Sequence, residues 1–139
     1  MNPPDQVLLT LVRQWIAKAD LDYRTAERLL RDAEPIRESI AFHCQQAAEK
    51  YLKAFLVCHR SEYPKTHSIT RLLDLVSSIA PELSVSLAEA ESLTPFGVEI
   101  RYPDDFPELL PGQEQTVFDL ARRTREAVMA QLEPYLTSG

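Results

Sequence analysis

The sequence predicts an all-α protein: an antiparallel up-and-down bundle of four to five helices, three long and two short. Apolar residues recur at three- and four-residue steps nearly throughout, and no clean period-2 segment marks a strand. Only three Gly occur in 139 residues, and Pro35, Pro64 and Pro81 fall between the periodic stretches, where a helix breaker belongs. The length suits a single domain, 1–139, with room for a real core.

The first helix is expected from about Asp5 to Asp32, with Leu8, Leu11, Val12, Trp15, Ala19, Tyr23, Ala26, Leu29 and Leu30 inward. Asn2 followed by Pro3 gives it a cap signal, because Pro suits the first helical position. The second runs from Ile36 to about His59 on a stripe of Ile40, Cys44, Ala47, Ala48, Tyr51, Ala54, Phe55 and Cys58. "RSEYPKTH" is read as a loop. A third helix covers Ser68 to Ile79, with Ile69, Leu72, Leu73 and Val76 inward, and a short fourth covers Glu82 to about Leu93. Thr94 to Gln113 holds four of the ten Pro and two of the three Gly, so it reads as a Pro-rich loop (94–113). Most connections take roughly 4–6 residues. A loop this long that carries Phe96, Tyr102, Phe106 and Leu109 is expected to pack rather than float. The last helix, about Gln115 to Tyr135, turns Val117, Leu120, Ala121, Thr124, Val128, Leu132 and Tyr135 inward.

A net charge of −6 argues against non-specific duplex binding, which depends on Lys and Arg neutralising phosphates, but it leaves room for a local basic pocket. No apolar run approaches the roughly 20 residues of a membrane span. "MNPPDQ" has neither a basic n-region nor an apolar h-region, so a cytoplasmic protein is expected. Cys44 and Cys58 are 14 apart on one expected helix. That is about 21 Å, too far to bond, and both read as small buried thiols. No Cys/His spacing resembles a zinc site, and Asp104, Asp105 and Glu108 have no matching carboxylate elsewhere, so no metal is expected.

"FHCQQAAEKYLKAFL", Phe42 to Leu56, carries the densest local signal. At 100° per residue its core stripe centres near Cys44 and Tyr51, while Phe42, Gln46, Glu49 and Lys53 point the opposite way with Leu56 on their flank. A purely solvated face would rarely carry Phe and Leu. Either the helix is sandwiched within its own bundle, or this second face meets another subunit. The second option is preferred, and it makes Phe42, Gln46, Glu49, Lys53 and Leu56 the interface of a homodimer, the commonest oligomer.

"W…A..DLDYRTAERLL", "AFHCQQAAEKYLKAFL", "PKTHSITRLL" and "IRYPDD", taken in this order, resemble the HEPN family, the higher eukaryote and prokaryote nucleotide-binding domain. The resemblance covers roughly Trp15 to Tyr135. It implies a bundle of four or five helices, usually dimeric. It also implies a minimal nucleotidyltransferase partner in what resembles a toxin–antitoxin pair. Many members are metal-independent ribonucleases whose signature is an Arg followed about four to six positions later by a His. Here Arg101 is followed by "YPDDFPELL", which matches the "RYP" variant and lacks the His. Arg37 and His43 have a suitable spacing, but about 120° separates them on the helix and they share no face.

The candidate ligand site comprises Lys50, Lys53, Lys65, Thr66, His67, Arg101 and Tyr102, a basic pocket for a nucleotide phosphate, with ATP, GTP or RNA as ligands and no bound cofactor required. Each has a blander reading. Lys50 and Lys53 would pair with Glu49 and Glu38, His67 would orient its loop through backbone, Arg101 would lock the long loop, and Trp15 is core or interface. The function expected is a non-catalytic nucleotide- or phosphate-binding module, or a nucleotidyltransferase partner. The alternatives are a purely structural dimerisation domain and a metal-independent ribonuclease with an altered site, using His67 and Arg101.

Overall fold

The computed structural model describes residues 3–97 and 106–137. Its elements are α1 (Gln6–Leu30), α2 (Arg37–Cys58), α3 (Ile69–Ser77), α4 (Pro81–Ser86), a 3-10 segment (Ala88–Gly97) and α5 (Gln113–Leu136). The helical bundle expected from periodicity is what forms. The short fourth helix is split: α4 ends at Ser86, and the 3-10 segment takes up the start of the expected Pro-rich loop.

Local chemistry sets the ends. Asp5 rather than Asn2 caps α1, because its carboxylate accepts from the Leu8 N–H at 2.8 Å and satisfies an otherwise orphan donor. Ser68 does the same for α3 through the Arg71 N–H. α2 closes in a Schellman turn, with Ser61 N–H on Leu56 C=O, Arg60 N–H on Val57 C=O, and Arg60 left-handed (φ 55°) where Gly is usual. α5 starts two residues earlier than expected, on Gly112 at φ 95°, a conformation that glycine adopts without strain.

Pair contacts fix the directions. Asp22 meets Lys50, Asp20 meets Tyr51, and Arg60 reaches back to Pro3, so α1 and α2 are antiparallel. Arg13 bonds to Leu136, Arg125 to Asp20, and Tyr23 packs on Phe118, so α5 is antiparallel to α1. Arg37 pairs with Glu114 and His59 packs on Tyr135, so α5 runs parallel to α2. α3, α4 and the 3-10 segment make the return between them.

α2 is the central element and packs on α1, α5, α3 and the 3-10 segment. Fifteen of its 22 residues are buried, including Glu49, Lys53 and Leu56. This settles the choice between the two readings of its second face. Glu49, Lys53 and Leu56, at 3%, 6% and 0% exposure, are covered by their own chain and cannot form a subunit interface. Phe42 and Gln46 stay half-buried. The α1 stripe is also rotated from expectation. Leu9 and Ile16 are buried and Leu11 is exposed, because α1 faces both α2 and α5. In the 94–113 stretch Phe96 and Phe106 are buried with rings 5.3 Å apart and Leu109 is half-buried, as expected of a packed loop. Tyr102 lies outside the described residues.

Leu56→Ala should therefore lower the unfolding free energy by about 2–5 kcal/mol in urea titration, the range for an interior cavity. Val7→Ala, on a side chain 81% exposed, should stay within about 0.5 kcal/mol. A small loss for Leu56→Ala at low concentration would restore the interface reading of that face.

Candidate functional site

Burying α2 leaves seven of its residues open to water: Arg37, Glu38, Ser39, Phe42, His43, Gln46 and Lys50. The last five recur at three- and four-residue steps, so they form one strip along the helix. Beside this strip the structure builds two groups of the same composition, each a histidine, a carboxylate and a lysine.

The first is Asp22, reaching from α1. Its Oδ1 accepts from His43 Nδ1 at 2.8 Å and its Oδ2 from Lys50 Nζ at 2.5 Å. The side chains are 29%, 13% and 24% exposed in the order His43, Asp22, Lys50, so the group sits at the water boundary. The second centres on Glu49. Its Oε2 accepts from Lys53 Nζ at 3.0 Å and its Oε1 from His67 Nδ1 at 2.6 Å. Here the pair is interior, since the Glu49 and Lys53 side chains alone are 4% and 8% exposed, while the His67 side chain is 65% exposed. Lys53 also lies 5.5 Å over the Trp15 ring and 5.7 Å over Tyr63, which sit edge-on to each other. In both groups Nδ1–H is spent on a carboxylate, which in the neutral ring leaves the Nε2 lone pair for another partner.

The expected basic pocket is therefore not what these residues form. Lys50 and Lys53 are drawn to different carboxylates, Asp22 and Glu49, rather than converging on an open site, and Lys53 is interior. The anticipated Glu49–Lys53 pair forms, whereas Lys50 takes Asp22 in place of Glu38. Lys65 is exposed, and the Thr66 hydroxyl accepts from the Ser68 N–H at 3.1 Å. His67 binds a carboxylate rather than backbone. Trp15 is half-buried against the core. Arg37 bonds to Glu114 and His43 to Asp22, so the Arg37–His43 spacing brings nothing together. Arg101 and Tyr102 lie outside the described residues. No three metal-ligating side chains cluster, and no helix is long and apolar enough to cross a membrane, among the described residues.

Sequence reasoning gave Asp20 and Asp22 no place in the site. Asp22 falls on the 12, 15, 19, 22, 26 stripe of α1, so a charge on the inward face was the available signal. Asp20 accepts from the Tyr51 hydroxyl and from Arg125 Nε, the latter at 3.4 Å. Burial first, then the Asp20 carboxylate, pushes the Tyr51 phenol well above its ordinary range. Cys44 and Cys58 are free and buried, and burial pushes the Cys44 thiol up to about 12 and raises Cys58, away from the reactive thiolate form.

A family model, the HEPN domain, matches residues 12–133. The chain belongs to the HEPN domain family. No curated protein and no solved structure matches it.

Lys53→Met should cost about 3–5 kcal/mol, because it strands the Glu49 carboxylate inside the bundle. The Lys53→Met, Glu49→Gln double variant should recover much of that loss in the same urea titration. A cost below 1 kcal/mol for the single change would show that Glu49 is hydrated. His59 provides a pH test. Burial lowers its pKa from the ordinary 6.5, and its Nδ1 is buried without a partner. The unfolded chain then binds the proton more readily, so stability should fall as pH drops below about 6.5. The drop should be smaller in His59→Phe, read as the difference in melting temperature between pH 7.5 and pH 5.5.

Proposed function

We propose that this chain is a nucleotide-binding HEPN module whose ligand lies along the open strip of α2, with His67 and Lys65 at its edge. One observation carries the proposal. The only wet line on an otherwise buried helix holds an aromatic ring, an imidazole, an amide and an ammonium in succession. Phe42, already edge-on to His43 at 5.4 Å, supplies a stacking face for a base. His43 Nε2 and Gln46 supply hydrogen bonds. Lys50 has three N–H donors and spends one on Asp22, which leaves two for a phosphate. Because the Asp22 carboxylate offsets part of that charge, a modest affinity is expected.

Family membership supports the finer parts of the proposal: a homodimer, and a minimal nucleotidyltransferase as partner in a toxin–antitoxin-like pair. A non-catalytic role agrees with the residues that follow Arg101, which include no His at the ribonuclease spacing, and with the separation of Arg37 from His43.

A second reading rests on the Glu49–His67 dyad. A carboxylate that orients Nδ1–H and leaves Nε2 toward water is a standard arrangement for a proton acceptor. It favours a metal-independent ribonuclease acting through His67.

Calorimetry with ATP, GTP and a short RNA tests both. Binding should weaken about tenfold in Phe42→Ala, within the range for a lost base stack. It should weaken similarly in Lys50→Ala, and RNA should stay intact. No heat at millimolar ligand would leave a structural dimerisation domain. RNA loss in the presence of chelator that His67→Ala abolishes would establish the ribonuclease.

A further inference from the structure

Gln45 is the largest polar commitment inside the bundle that neither histidine group explains. It is 0% exposed, and an uncharged amide at such a position is costly unless its hydrogen bonds are met. They are. Its Nε2 donates to the His67 carbonyl at 2.7 Å and lies 3.4 Å from Glu49 Oε1, and its Oε1 accepts from Gln46 Nε2 at 2.8 Å. The far side of the amide is closed by backbone. A Cβ on Gly97 would come within 2.5 Å of Gln45 Cδ, 2.6 Å of Nε2 and 2.8 Å of Oε1. Gln45 has a flexible stem, but making room for such a Cβ would disturb the geometry of its hydrogen bonds, so Gly97 acts as a clamp.

His67 is thereby held at two points. Its carbonyl is fixed by Gln45 and its ring by Glu49, residues one turn apart on α2 and so about 6 Å apart along the axis. Two attachments one turn apart define both the position of the residue and the direction of its ring. The same amide orients Gln46, which belongs to the open strip. The neighbouring ties at Thr66 and Thr94 hold the Ser68 and Ile69 N–H groups, but neither touches His67 itself.

We propose that Gln45, clamped by Gly97, is the positioning residue that holds His67 where Glu49 can set its tautomer and direction, and that aligns Gln46 on the ligand strip. The ligand part of this rests on the reading of the strip given above; the tautomer part does not. Gln45 touches no ligand. Its effect passes through the His67 carbonyl and the Gln46 amide.

The test is long-range proton–nitrogen NMR of the imidazoles in the full chain at pH 8, with ATP titration alongside. In the wild type the His67 ring should show the Nδ1-protonated tautomer that a carboxylate acceptor enforces. Gln45→Met keeps the volume and removes every hydrogen bond. Gly97→Ala keeps the amide and displaces it. In each, the His67 pattern should move to the mixed tautomers of a free imidazole while His43, held by Asp22, stays as it was. ATP affinity should fall about threefold to tenfold. If Gln45→Met does not fold, Gly97→Ala decides alone. A folded variant of either kind with the wild-type His67 pattern overturns the proposal. Wild-type protein that binds no ATP but loses the His67 tautomer in the variants refutes the nucleotide reading and leaves the positioning role standing.

Discussion

The constraint from which the rest follows is the burial of α2. A helix covered by α1, α5, α3 and the 3-10 segment cannot leave a charged or polar side chain on its covered faces without a partner. Glu49, Lys53 and Gln45 are all on those faces, and all are satisfied within the chain. The Glu49–Lys53 pair adds little net stability over a well-packed apolar pair, yet breaking it is expensive. Its value is in what it orients: a carboxylate fixed on one side by an ammonium presents its other oxygen in a defined direction, and that oxygen receives His67.

The division of roles between carboxylates explains why Lys50 and Lys53 do not converge on one basic pocket. Asp20, Asp22 and Glu49 each take up a phenol, an imidazole or an ammonium. Asp20 ties together three helices, since Tyr51 belongs to α2 and Arg125 to α5. What remains outward is a row of groups with limited charge and varied hydrogen-bonding character. Such a row suits recognition of a ligand with a flat ring and a polar rim better than it suits a polyanion.

Element order, lengths and most of the core could be read from the sequence because they depend on local periodicity. The α2 stripe through Ile40, Cys44, Tyr51 and Phe55, and that of α3, are buried as their spacing implies. Three misses have one cause. Leu11 lies outward, Phe118 inward, and Glu49, Lys53 and Leu56 are covered because each helix meets more than one neighbour, and periodicity shows that a face is apolar without showing how many faces are packed. The candidate site was legible in residue type but not in pairing. Lys50, Lys53 and His67 could be picked out on α2 and in "PKTH", but which carboxylate each would meet is a tertiary fact, decided by Asp22 arriving from another helix and by a loop that spans one turn of α2.

Trp15 is the chain's sole indole, and it lies against Tyr63 with the Lys53 ammonium beside both rings. Its emission therefore senses the seam between α1 and the segment that leads to His67. Loosening of that segment would register optically while the remaining helices were still assembled, so this molecule carries a built-in gauge of the ground around His67.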